Sequence, residues 1–462
     1  MSQKKVIFVS LLLFTILYKE TLASELTCEV NDDCPALNEC TNNICQHKPL
    51  FPLTFREILS TIIIMILSGV ANAGGLGGGA LLSPILLIGF NYDASKSIMI
   101  VYALVFGGAL GNFLNVALQK DPKTGKPLVE YDLSLIAMPP MLMGTAIGVL
   151  MNRIAPSIVI IVGLVLLMRF TLKKIYAKAK QERQKELQLL SEPLLKLDQK
   201  ATKDIEMESF NKNQAEEIDA SSYSRDVVEA LKQEKQLFPT NKIKLILGLL
   251  AWIIIMALIR GTDKLASVIG VEYCGIGYWA LFFISLIGCG YFYNISKAEV
   301  ESALNIKRLL TLSSGNDFQL TNDKISSLTS LSAIAGVLAG FLGIGGGMVM
   351  GPTLLALGCS AQTLAATSGF FVVQTSFISL FQALLYGDVE LTEVFYFLVC
   401  ALVGSYGVSA ILTYYVKKYR RPSLILFTLS YVIIISMIIM PLFGLWKSID
   451  NPGQMLHFKP LC

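Results

Sequence analysis

Two runs of three glycines, Gly77-Gly78-Gly79 and Gly345-Gly346-Gly347, each stand five residues ahead of a proline, Pro84 and Pro352, inside long apolar stretches. The surrounding strings, GGLGGGALLSPILL (74–87) and LGIGGGMVMGPTLL (342–355), also align Gly75 with Gly343 and Leu86-Leu87 with Leu354-Leu355. Glycine tolerates positive φ and close backbone approach, so each run is read as a break in a membrane helix. The helix restarting after the break points its free N–H groups and positive dipole end at the gap. That makes an anion site that needs no lysine or arginine. Nearby amides and hydroxyls are candidate ligands: Asn72, Ser83, Asn112 and Asn115 in the first half, Thr367, Ser368, Gln374, Thr375 and Ser376 in the second. The competing reading is that these glycines only let helices pack closely, and that the hydroxyls bond back to their own backbones. Two aligned copies with matched prolines favour the site.

Other chemistries lack their residues. The whole chain has two histidines, His47 and His457, both outside the apolar stretches. No metalloprotease, nucleophile-elbow, Rossmann or P-loop pattern occurs, so neither an enzyme, a cofactor nor a metal site is expected. Among ionisable residues near the apolar segments, Asp93 and Lys96 follow the first break, while Arg153, Arg169 and Glu390 fall near segment edges. None is placed as an evident proton relay.

The elements that must hold such a site are transmembrane. The 462-residue chain is 53% hydrophobic and 16% charged, with a formal net charge of +4 and a mean hydropathy of +0.59. A soluble domain carries about 25% charged residues, and no basic stripe marks a nucleic-acid footprint. Apolar segments are read over 57–90 (two shorter pieces joined at the glycines), 98–118, 133–151, 155–170, 243–259, 277–293, 325–357 (again two pieces), 363–385, 392–415 and 424–445. If both glycine regions cross twice, the lysine- and arginine-bearing connections 119–132, 172–242, 296–324 and 417–421 fall on one side, as the positive-inside rule requires. The same count starts one repeat outside and the other inside. The expected fold is therefore an all-α polytopic membrane protein with two inverted repeats of about five segments each, interrupted at the glycine motifs.

Flanking regions complete the division. Residues 1–23 read as a signal peptide, with Lys4-Lys5, an apolar run and small residues at Thr21 and Ala23; an uncleaved anchor is the alternative. Cys28, Cys34, Cys40 and Cys45 in segment 24–52 read as two extracytosolic disulfides. Cys274, Cys289, Cys359 and Cys400 are read as buried thiols. The first repeat is 53–172 and a charged, partly helical cytosolic linker 173–242. Two intervening segments with a loop occupy 243–324, the second repeat 325–446 and a tail 447–462. The N-terminus is placed outside the cytosol, in a plasma-membrane or endomembrane protein of the secretory pathway.

At these residues the chain resembles the sulfite exporter TauE/SafE family of membrane permeases, particularly its longer eukaryotic members. The likeness rests on GLGGGALLSPILL and GVLAGFLGIGGGMVMGPTLL, with Tyr131-Asp132-Leu133, Pro140-Met141-Leu142, Gly148-Val149 and Asn152 in support. The resemblance implies a permease for a small anion, sulfite or an organosulfonate, working by alternating access. It implies site elements at Gly77, Gly78, Gly79, Pro84, Gly345, Gly346, Gly347 and Pro352. Asn72 stands where the second copy has Gly340, so the half-sites are expected to be unequal. The partners are the substrate anion and the bilayer, with the coupling ion, proton or sodium, left open. The alternative is a membrane receptor or scaffold around a non-transporting repeat core.

Overall fold

The computed structural model describes residues 38–41, 44–75, 77–92, 94–120, 125–191, 236–262, 265–309, 322–356, 359, 361–385, 390–419 and scattered positions from 423 to 438. The signal peptide, Cys28, Cys34, Asp93, most of the linker and the tail lie outside the described residues. A short hairpin pairs β1 (Asn38–Thr41) with β2 (Ile44–His47), setting Cys40 opposite Cys45. Cys40 is disulfide-bonded. The other elements among the described residues are helices: α1 (Phe55–Ala73), α2 (Gly79–Gly89), α3 (Ala94–Val116), α4 (Tyr131–Ile154), α5 (Ser157–Ser191), α6 (Thr240–Arg260), α7 (Ile276–Leu309), α8 (Asn322–Leu342), α9 (Gly347–Ala356), α10 (Ala361–Leu385) and α11 (Leu391–Tyr419). Eight of these, all but α2, α5 and α9, are long and apolar enough to cross a membrane among the described residues. Helix α5 runs on through the basic stretch to Ser191 because Lys, Ala, Gln, Glu and Arg are good helix formers.

Burial sorts the helices. About 83% of the α10 span and 78% of the α4 span are buried, against 17% for α7, so α4 and α10 are central while α7 lies outermost. The two halves interlock. Helix α8 of the second half packs along α4 of the first, and α1 along α11. Gly144 and Gly148 face the backbone carbonyls of Ala333 and Val337, while Gly336 and Gly340 face those of Met141 and Thr145. This reciprocal backbone seam is what small residues allow where lipid offers no hydrophobic drive between helices. Asn152 Nδ2 closes it by donating to the Phe341 carbonyl at 2.6 Å.

One end of the bundle, here the hairpin end, gathers the starts of α1, α3 and α11 with the loop between α6 and α7. Links include Thr262 Oγ1 donating to Leu385 O at 2.9 Å and Arg153 donating to Tyr273 Oη at 3.2 Å. At the opposite, linker end, Tyr131 donates to Leu237 O at 3.1 Å, and Lys242 pairs with Asp132. Cysteine placement brings one correction. Cys289 and Cys359 are buried thiols and Cys400 a half-buried one, but Cys274 is disulfide-bonded. It sits at φ +62° in the α6–α7 loop, outside the spans, where proximity to apolar sequence gave the wrong environment.

Candidate functional site

Both glycine runs interrupt helices in the same way. Helix α1 stops at Ala73, the amide of Gly75 donates to Asn72 O at 2.8 Å, and α2 restarts at Gly79. Helix α8 stops at Leu342, the amide of Gly343 donates to Ala339 O at 3.0 Å, and α9 restarts at Gly347. The aligned pairs carry matching left-handed turns: φ is +72° at Gly75 and +70° at Gly343, +81° at Gly77 and +71° at Gly345. Only glycine occupies that region without strain. Gly78, the left-handed cap of α2 at φ +74°, has no counterpart, since Gly346 keeps negative φ.

The breaks meet each other. A Cβ on Gly79 would stand 3.0 Å from the Gly343 carbonyl and 3.1 Å from Ile344 Cα, and one on Gly347 would strike the Gly75 carbonyl. Val105 of α3 and Val372 of α10 flank both: a Cβ on Gly77 would lie 3.2 and 2.8 Å from them, one on Gly345 3.4 and 3.6 Å. At the start of α2 the Leu81 and Leu82 amides donate to the Gly78 carbonyl at 2.9 and 3.1 Å, so only the earliest amides of α2 and α9 lack an acceptor within their own helices. One of the incoming amides, on Gly346, donates to Thr375 Oγ1 at 3.4 Å, and Met141 Cε covers the same glycine. Each half-helix start, equivalent to about half a positive charge, thus lies against the opposing break, with a hydroxyl and a thioether methyl at Gly346.

The polar candidates divide by what they touch. Ser368 lies against Gly75 while donating to Leu364 O at 2.7 Å, and Thr375 reaches Gly346. Asn72, one turn before the first break, donates back to Ser68 O at 2.8 Å and packs on Gly108. Asn112 is buried beside Gly369, the neighbour of Ser368. Thr367 accepts the Glu130 amide at 3.1 Å, toward the linker end. Gln374 is buried with its Oε1 unpartnered. Asn115 is spent on the α3–α11 contact, donating to Tyr406 O and Ser409 Oγ. Ser83 and Ser376 donate to their own helices, at Gly79 O and Val372 O. Pro84 is buried inside α2, and Pro352 falls within α9. Among the described residues, no group of three or more His, Cys, Asp or Glu is arranged to hold a metal.

Two sets of residues escaped the sequence reading. Met141, Val105 and Val372 line the breaks, yet apolar residues in apolar helices carry no local signal. The other set is ionic and lies at the hairpin end. Glu57 and Glu393 are buried (0% and 2% exposed), each in the first turn of a spanning helix. Lys48 donates to Glu57 Oε2 at 3.0 Å and Lys96 to Glu393 Oε1 at 2.8 Å. The Thr54-x-x-Glu57 spacing is a capping-box signature, and Thr54 N does donate to Glu57 Oε2 at 2.6 Å. That pattern announces a helix start but not a buried ion pair.

Comparison with known proteins bears on the same regions. Residues 328–458 match the family described as sulfite exporter TauE/SafE. Over 438 residues the chain is 28% identical to sulfite exporter TauE/SafE family protein 2 of Arabidopsis thaliana, covering 90% of each. It is 25% identical to family protein 3 (90% of this chain, 84% of the relative) and 27% identical to family protein 5 (88% and 87%) from the same plant. No solved structure matches the chain.

Proposed function

Starting from the similarity of this chain to the sulfite exporter TauE/SafE family, we propose that it is a secondary transporter for a small anion, sulfite or an organosulfonate. The observation that carries the reading is the apposition of the two glycine breaks, with the start of α2 against the second break and the start of α9 against the first. A sulfonate or sulfite group carries three oxygens that accept hydrogen bonds from such amides, and the low dielectric strengthens the attraction. Thr375, Ser368 and Asn112 stand close enough to set selectivity.

The interlocking suggests how the site opens. The long helix of each interrupted arm is packed on a helix of the other half, α1 on α11 and α8 on α4, while α2 lies on α3 and α9 on α10. The moving bodies are then these exchanged pairs, which separate the breaks first toward one end and then the other. The breaks touch in this structure, so admission of the anion requires that separation. The repeats enter from opposite sides, and the hairpin end, with its disulfides at Cys40 and Cys274, faces away from the reducing cytosol.

The test is flux. Purified protein in liposomes should take up sulfite or a two-carbon sulfonate saturably, above protein-free vesicles. Uptake of both at the empty-vesicle rate sinks the reading.

A further inference from the structure

The hairpin end contains a polar layer that the anion site does not use. Four buried side-chain oxygens there have no hydrogen-bond partner: Glu57 Oε1, Ser60 Oγ, Ser97 Oγ and Glu393 Oε2. All four residues are 0–2% exposed. Leaving such an atom unmatched is costly, more so for a charged one, so four in one layer call for something to bind.

The layer is tied together by Tyr92, between α2 and α3. Its hydroxyl donates to Glu393 Oε1 at 3.1 Å, and Lys96 Nζ lies 4.5 Å above its ring. Burial first, then the Glu393 carboxylate, with Glu57 and Glu390 farther off, push the Tyr92 phenol up, so it stays a neutral donor. Ser60 lies against Gly89, at the C-terminal and therefore negative end of α2. The cations already present are Lys48 on Glu57, Arg56 on the Ile88 carbonyl and Lys96 on Glu393. Tyr396 Oη shares a 2.9 Å hydrogen bond with Thr61. Each lysine engages one oxygen of its carboxylate and leaves the other bare. Three of these contacts join the halves of the chain: Lys96 and Tyr92 to Glu393, and Thr61 to Tyr396.

We propose that Glu393 binds a small monovalent cation, a sodium ion, and that its arrival at Oε2 competes with Lys96 and releases the link between the halves at the hairpin end. Hard, oxygen-only donors suit such an ion, and intramembrane carboxylates commonly mark ion pathways. The proposal rests on the transporter reading, because it supplies that transporter with a coupling ion. Cation binding loosens the closed hairpin end, so the cation gradient biases the exchange of the two bodies.

The experiment separates cation binding from anion transport. The melting temperature of the purified full-length chain is followed at pH 8 as NaCl replaces N-methyl-D-glucamine chloride. Ligand binding to the folded state raises it by mass action. Wild type should respond to sodium, with the response lost in Glu393→Gln. In Lys96→Met, half-saturation should shift to several-fold lower cation, because the competitor is gone. Glu393→Asp, which keeps the carboxylate, should retain a response even if the glutamine variant does not fold. No response in wild type, or an unchanged one in Glu393→Gln, overturns the proposal. Sulfite flux in liposomes is read in parallel. A cation response without flux would remove only the anion reading; flux with no cation response would remove only this one.

Discussion

Alanine at Gly345, Gly346 and Gly347 should separate folding from transport, because one added methyl meets a different obstacle at each position. At Gly345 the neighbours are ordinary, Val105 at 3.4 Å and Val372 at 3.6 Å, but φ is +71°, and a left-handed alanine costs about 1–2 kcal/mol. At Gly347 the methyl would strike the Gly75 carbonyl and Val372 Cγ2. The carbonyl belongs to the opposing break and cannot swing aside, so about 1–3 kcal/mol of overpacking follows. At Gly346 the only close collision is with Met141 Cε, the tip of a flexible side chain. The gain from replacing glycine, about 0.4–1 kcal/mol, offsets part of Met141's rotation, leaving stability near that of wild type. That same methyl stands over the amide offered to the anion. Thermal unfolding in detergent should therefore rank Gly346→Ala as the most stable of the three and Gly347→Ala as the least. Sulfite flux per folded molecule should be lost in Gly346→Ala all the same. Flux at the wild-type rate from that variant would refute the assignment of the break as the binding site. A melting point for it below that of Gly347→Ala would refute the steric argument.

Gly340→Ala should be far more destabilising than Gly407→Ala in the same melting assay, by about 1–3 kcal/mol. The first methyl would strike Thr145 O with Val149 N at 2.8 Å, whereas nothing lies within 4 Å of the second. Burial, and then Glu130, push the Cys359 thiol up to about 12, so it holds its proton throughout the neutral range. Maleimide labelling of Cys359 in the folded protein should stay negligible and nearly flat from pH 6 to 9, rising only in denaturant; a steep rise with pH in native protein would contradict the burial. Cys274 should label only after reduction, with labelling of the unreduced, denatured chain speaking against its disulfide.

Much of the scaffold was legible because its signals are local. A run of three glycines after an apolar stretch cannot continue a helix cheaply, and the breaks fall where those glycines stand, after Ala73 and Leu342. Matched spacing produced matched φ values at Gly75 and Gly343, and at Gly77 and Gly345. Apolar runs of spanning length became spanning helices because a bilayer leaves the backbone no other partners. What the tertiary structure alone decided is which distant segments meet. Gly79 rests on Gly343 across 264 residues of chain, and Lys96 finds Glu393 across 297. Met141 covers Gly346 only because the α4–α8 seam brings it there. Asn72 and Asn115 have the composition of ligands, but packing gives one a helix carbonyl and the other a neighbouring helix. Break points are set by backbone energetics within about one turn of helix. A binding site is set by contacts between helices far apart in sequence, and no short window of residues contains them.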